Sequence, residues 1–224
     1  MRRNGCQRPY SLYSLGAWLG QILALVWYAV VQFGFAQGNA QIISATIWSV
    51  LLAGGLIAWL FCQVVDPANA SHPGCVVISK KAHEAHYCAA CKKSVPGIDH
   101  HCLWLNTCVG SRTYFSFYLL SLLGGLLFSW QIVSLCLLMS PVWGNDNWGT
   151  AGQVFPSNPE AGYYAVTAVG VLLSLPCAAF YSALFLFHTY LIYYRNMTTY
   201  EYFIDKHTKQ RQRRKAREEK VQLV

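Results

Sequence analysis

Four apolar blocks separated by polar stretches set the plan of this 224-residue chain. The first runs from about Ser14 to Phe35 and the second from about Ile42 to Val65. The third runs from Phe115 to about Met139, and the fourth begins near Tyr163 and continues to Tyr194. A helix of 22 residues reaches about 33 Å, enough for a hydrocarbon core of about 30 Å. The apolar residues lie in unbroken blocks instead of being spread through amphipathic elements, so each block predicts a membrane span. The turn Gln37–Ala40 is too short to hold a domain. Asp66-Pro67 ends the second block, because proline cannot continue the helical ladder and aspartate prefers water. Pro176 predicts a kink in the fourth span. The expected fold class is an all-α membrane protein, four transmembrane helices with a polar insert between helices 2 and 3. Residues 1–65 carry the N-terminus and two spans, 66–114 the insert, 115–194 the other two spans and 195–224 a hydrophilic tail.

Composition supports this plan. Hydrophobic residues make up 54% and charged residues only 12%, about half the charged share of a soluble protein. The formal charge of +8 raises nucleic acid as a partner, but its placement argues against it. Arg2, Arg3 and Arg8 precede span one, the insert holds Lys80, Lys81, Lys92, Lys93 and Arg112, and the tail from Arg195 holds the other nine of the 17 cations. None falls in a span or in the other two loops. The positive-inside rule therefore predicts that both termini and the insert are cytosolic. No cleavable signal peptide is expected, since the N-terminal arginines lead into a full-length span without a small-residue cleavage site. Spans one to three contain no Asp, Glu, Lys, Arg or His, which argues against a channel or transporter. Span four offers only His188, a functional candidate because it is polar in lipid, or a hydrogen-bonding partner for a neighbouring helix.

A cytosolic insert is in a reducing compartment, so its cysteines point to metal binding or catalysis before disulfides. Cys88-x2-Cys91, His101 and Cys108 offer three thiolates and an imidazole, a four-coordinate set that suits structural Zn²⁺. The alternative is a set of unrelated free cysteines. Asp99, His100 and Cys102 then remain. A thiol beside an imidazole can become a nucleophilic thiolate, and a carboxylate can orient that imidazole. The alternative assigns these residues to a second metal site. Acid, base and nucleophile cannot all face one another on a regular helix, so an irregular backbone is expected here.

Asp99-His100-His101-Cys102, followed by Trp104, Asn106, Cys108-Val109-Gly110 and Tyr114-Phe115, resembles the cysteine-rich domain of DHHC-type protein S-acyltransferases (palmitoyltransferases). Asp66-Pro67-Ala68 looks like the family's DPG motif, with alanine in place of glycine. Thr198-Thr199-Tyr200-Glu201 matches its TTxE motif. The resemblance implies acyl transfer from palmitoyl-CoA or another long-chain acyl-CoA to cysteines of membrane-associated proteins, through an acyl-enzyme on Cys102. His100 would be the general base and Asp99 its orienting group. Thr198, Thr199 and Glu201 would support the site, with Thr199 near the aspartate. The localisation implied is multi-pass in an endomembrane (Golgi or ER) or the plasma membrane. The chain departs from the family at one zinc site: Gly74, Val77, Tyr87 and Ser94 stand where three cysteines and a histidine are usual. One zinc is therefore expected, with His72, Cys75, His83 and His86 as the alternative second set. Leu103 replaces the usual proline and Thr107 an asparagine. A catalytically inactive scaffold or adaptor is the competing reading, and the missing site leaves room for an accessory subunit.

Overall fold

The computed structural model describes residues 1–69, 84–139 and 153–222. It contains four helices long and apolar enough to cross a membrane: α1 (Leu12–Phe35), α2 (Gly38–Val64), α3 (Tyr114–Leu138) and α4 (Pro159–Tyr190). Their bounds fall within a few residues of those expected. α2 is the main exception, starting at Gly38, so the connection from α1 shrinks to Ala36-Gln37. Gly38 adopts φ +57°, a left-handed conformation that glycine reaches without a Cβ clash. α4 continues through Pro176.

The chain divides into two compact units. One comprises Pro9–Phe61 and Ser116–Phe185. In its interior the Tyr28 hydroxyl bonds to Ser44 Oγ at 2.8 Å and Ser134 Oγ at 2.9 Å. Ser174 donates to Gln131 Oε1 at 2.8 Å. Such bonds satisfy polar groups that lipid cannot. Glycines bring α3 close to α4: a Cβ on Gly124 would lie 2.7 Å from the Tyr181 ring, and one on Gly125 3.2 Å from Ser182 Oγ. Small residues in span three therefore serve close packing. Gly124 also lines an apolar cavity of about 270 Å³ bounded by Trp18, Leu52, Trp59, Phe128 and Tyr181.

The second unit is assembled from three separate segments, Met1–Arg8, Cys62–Phe115 and Leu186–Val224. Its insert adds two short hairpins to the expected four-helix plan. β1 (Ala85–Cys88) pairs antiparallel with β2 (Lys93–Pro96), and β3 (His100–Cys102) with β4 (Thr107–Val109). Cys88, Cys91, Val95, Ile98 and Cys108 form a small buried cluster, with Ala68 packed against it. Asp66 ties this cluster together. Its carboxylate accepts from Ala68 N at 2.9 Å and from buried Lys93 Nζ at 2.6 Å, and its carbonyl accepts from Arg112 at 3.2 Å. Ala68 is not among the residues with positive φ, so this position does not require the glycine usual in the family.

α4 ends in a π turn, Leu191–Arg195, capped by Asn196 in the left-handed conformation with φ 46°. The chain then re-enters a helix, α5 (Thr199–Gln222). Its start is a capping box. Glu201 N donates to Thr198 Oγ1 at 3.2 Å, and Thr198 N donates to Glu201 Oε2 at 2.7 Å. This reciprocal pair is the physical content of the TTxE motif.

Candidate functional site

β3 separates the functions of its residues by alternation. Successive strand side chains point to opposite faces, so His100 and Cys102 share one face while His101 lies on the other. Asp99 lies just before β3 in irregular backbone of the kind expected from sequence, while His100 and Cys102 share one face of the strand.

On one face, Cys88, Cys91, His101 and Cys108 bring four ligand atoms together. His101 Nδ1 lies 3.7 Å from Cys88 Sγ, 3.5 Å from Cys91 Sγ and 3.6 Å from Cys108 Sγ. Cys91 and Cys108 sulfurs are 3.5 Å apart. A tetrahedral zinc with bonds of about 2.3 Å to sulfur and about 2.0–2.1 Å to nitrogen requires edges of about 3.5–3.8 Å. The donor set fits. The Cys108 hydrogen bond pulls the Cys91 thiol down to about 4 against the effect of burial, helped by His101 and Arg2. The same bond, with burial and the charge of Cys88, pushes Cys108 up. Crowded thiols that compete for protons are suited to exchange them for a cation.

Two turns carry these ligands, and each contains one residue with positive φ, Lys92 at 53° and Asn106 at 56°. The N-terminal segment binds both turns. Arg2 N donates to Cys91 O at 3.0 Å, and its guanidinium donates to Ala90 O at 3.4 Å, to Asn106 O at 2.9 Å and to Asn106 Oδ1. Asn106 Nδ2 returns bonds to Gly5 O and Gln7 O at 3.3 and 3.2 Å. Gly5 packs so closely that a Cβ there would meet Leu105 O at 2.4 Å. Sequence reading treated these N-terminal residues only as topological charges.

The expected second zinc site differs from the surviving one. Tyr87 and Ser94, the two described positions where ligands are replaced, are direct cross-strand partners in the β1–β2 hairpin. Neither supplies a metal-binding imidazole or thiolate. Of the alternative set, His72, Cys75 and His83 lie outside the described residues. His86 instead stacks on Tyr200 of α5 with ring centroids 4.6 Å apart.

On the other face of β3, His100 Nδ1 lies 2.6 Å from Asp99 Oδ2, and His100 also hydrogen-bonds Cys102. Thr199 N, the first amide of α5, donates to Asp99 Oδ1 at 2.8 Å. The contact uses the backbone amide; Thr199 Oγ1 is buried and has no hydrogen-bond partner among the described residues. A carboxylate at a helix N-terminus also gains from the helix dipole. Burial alone would raise the Asp99 carboxyl, but the His100 hydrogen bond and charge, with the nearby His188 ring and the Thr199 amide, hold it below the usual range. Burial opposes a charge on His100, yet the hydrogen bonds and charges of Asp99 and Cys102 lift it to about 10. His100 is thus built to hold a proton taken from a neighbouring thiol.

Known proteins give the same picture. The sequence profile of the DHHC palmitoyltransferase family matches residues 74–206. Probable protein S-acyltransferase 15 of Arabidopsis thaliana is 28% identical over 190 residues, 76% of this chain and 70% of that protein. Palmitoyltransferase ZDHHC15A of Danio rerio is 46% identical over 54 residues, 24% of this chain and 16% of that protein. Palmitoyltransferase ZDHHC4 of Mus musculus is 36% identical over 69 residues, 30% of this chain and 20% of that protein. The profile match spans the metal-ligand set, the Asp99–Cys102 group and the capping box together, and the chain belongs to the DHHC palmitoyltransferase family.

Proposed function

We propose that the protein is a membrane-embedded S-acyltransferase that moves a long-chain acyl group from acyl-CoA to cysteine thiols of membrane-associated proteins. The hydrogen-bond chain Thr199 N to Asp99, Asp99 to His100 and His100 to Cys102 carries the reading. In the first half-reaction His100 takes the Cys102 proton and the thiolate attacks the thioester carbonyl. The bond to the CoA sulfur breaks, His100 returns its proton to that sulfur, and CoA leaves as the thiol. In the second, His100 takes the proton of a substrate cysteine, whose thiolate attacks the acyl-enzyme carbonyl, and the released Cys102 sulfur regains that proton from His100. Asp99 keeps the imidazole oriented and stabilises it when charged. Cys88, Cys91, His101 and Cys108 would hold one zinc as a closed structural site, which ties the β3–β4 hairpin to the β1–β2 hairpin. The apolar cavity among the spans has the chemistry that a long acyl chain needs. Charge placement supports a cytosolic side for the termini and the insert.

The test is incubation of the purified protein with a clickable palmitoyl-CoA analogue. Hydroxylamine-sensitive label is expected on the wild type and absent from Cys102→Ala. Folded, zinc-loaded wild type that takes no label would sink the enzyme reading and leave the scaffold.

A further inference from the structure

His188 is the one residue of the fourth span that the sequence marks as chemically out of place, and the structure gives it definite neighbours. It is 2% exposed. Its Nδ1 lies 2.8 Å from the hydroxyl of Tyr114, itself buried at the start of α3. Its ring lies 5.8 Å from that of His100, at 37°. A nitrogen of His188, a nitrogen of His100 and an oxygen of Asp99 all fall within 4.8 Å of one another. None of this is needed merely to hold helices together, where Tyr114 alone would suffice as a partner.

Tautomer logic gives the contact a direction. An ionised carboxylate only accepts hydrogen bonds, and a neutral imidazole carries one N–H and one bare nitrogen. If the Tyr114 hydroxyl donates to Nδ1, the proton of His188 is on Nε2, and the ring offers an N–H dipole to the Asp99 carboxylate. The opposite arrangement would set a lone pair toward buried negative charge, which low-dielectric surroundings penalise. A donating Tyr114 hydroxyl would thus hold the useful tautomer, the role that the second partner of a functional histidine commonly has. The π turn that begins three residues later, at Leu191, lies between this histidine and the Thr199 amide. Two groups on opposite sides of that turn thus address the same carboxylate.

We propose that His188 is a positioning residue of the acyl-transfer site: oriented by Tyr114, it helps fix Asp99 and so sets the ring of His100 toward Cys102. The inference rests on the acyl-enzyme reading above. It predicts that loss of His188 slows the chemical step and leaves both metal and acyl-CoA binding alone.

The measurement is single-turnover formation of hydroxylamine-sensitive label on purified protein with a clickable palmitoyl-CoA, with zinc content determined on each sample. His188→Leu is expected to lower the limiting rate about 10- to 100-fold, the usual cost of removing an orienting partner, at unchanged half-saturating acyl-CoA. His188→Gln, whose amide reaches the Nε2 position, should recover most of the rate, whereas His188→Asn, which places its amide at Nδ1, should not. Tyr114→Phe should fall between. Equal limiting rates in wild type, His188→Leu and His188→Gln would overturn the inference while leaving the acyl-enzyme intact. If His188→Leu does not fold, equal rates for the Gln and Asn variants overturn it. Loss of zinc in parallel with label in all three His188 variants also overturns it, making His188 a packing residue. Absence of label from the wild type would remove the underlying reading, and this inference with it.

Discussion

Thr199→Pro isolates a single hydrogen bond of the catalytic group. Thr199 is the first residue of α5, where proline is well accommodated because the amide has no partner within the helix. The preceding N-cap position is normally extended, the conformation that a following proline prefers. The substitution therefore spares the helix and deletes the 2.8 Å bond from Thr199 N to Asp99 Oδ1. A hydrogen bond to a charged group contributes about 1.5–3 kcal/mol, and a buried partner left unsatisfied costs at least that much. If the whole loss falls on the ability of Asp99 to stabilise charged His100, label formation should slow roughly 10- to 150-fold, at about 1.4 kcal/mol per decade. Thr199→Ala is the companion. The hydroxyl it removes is buried and makes no hydrogen bond among the described residues, so its rate should stay within a few-fold of wild type. Single-turnover labelling with clickable palmitoyl-CoA reads both, with zinc content as a check on the insert. A Thr199→Ala defect as large as that of Thr199→Pro would refute the assignment to the backbone amide. Wild-type rates for Thr199→Pro would refute the coupling of α5 to Asp99 altogether.

His100→Ala and His101→Ala should separate although the residues are neighbours: the first slows labelling and keeps the metal, the second releases zinc and destabilises the insert. Metal analysis of the same preparations should give close to one zinc per chain, and two would overturn that count. Arg2→Ala removes guanidinium bonds to both ligand-bearing turns, so zinc transfer to a chromogenic chelator should become faster. Arg3→Ala serves as the comparison, since only the backbone of Arg3 is seen to bond there; equal release rates would count against the Arg2 role. Gly124→Ala should lower thermal stability by about 1–3 kcal/mol, as expected for overpacking, because its Cβ would lie 2.7 Å from the Tyr181 ring.

The spans were legible because lipid selects for apolar character over a fixed length, and that signal is local. The zinc ligands were legible because Cys88 and Cys91 supply half a tetrahedron from one turn, leaving few candidates for the rest. The β strands were not. At three or four residues each they are too short to establish a period, and their burial is bound up with the metal-ligand cluster. The capping box has a local signature, Thr198-x-x-Glu201, which coincides with the family's TTxE motif. His188 could be flagged as polar in lipid, but its link to Tyr114 spans 74 positions, beyond any local pattern. The same holds for Arg2, whose partner Asn106 is 104 residues away. The proposed catalytic group is contiguous in sequence, whereas much of what braces it is remote.

The three-segment construction of the cysteine-rich unit has a consequence for how the protein is made. Asp99 meets Thr199 only across 100 residues of chain. A ribosome adding about 5–20 residues per second needs about 5–20 s to cover that interval. During that time Cys102 can exist beside His100, but Asp99 has no helix amide to hold it. The nascent chain therefore passes two membrane spans into the bilayer with its proposed nucleophile unbraced. Maturation of the site becomes a final event, tied to the start of α5, and truncation before Thr199 should leave an inserted protein with an incomplete site.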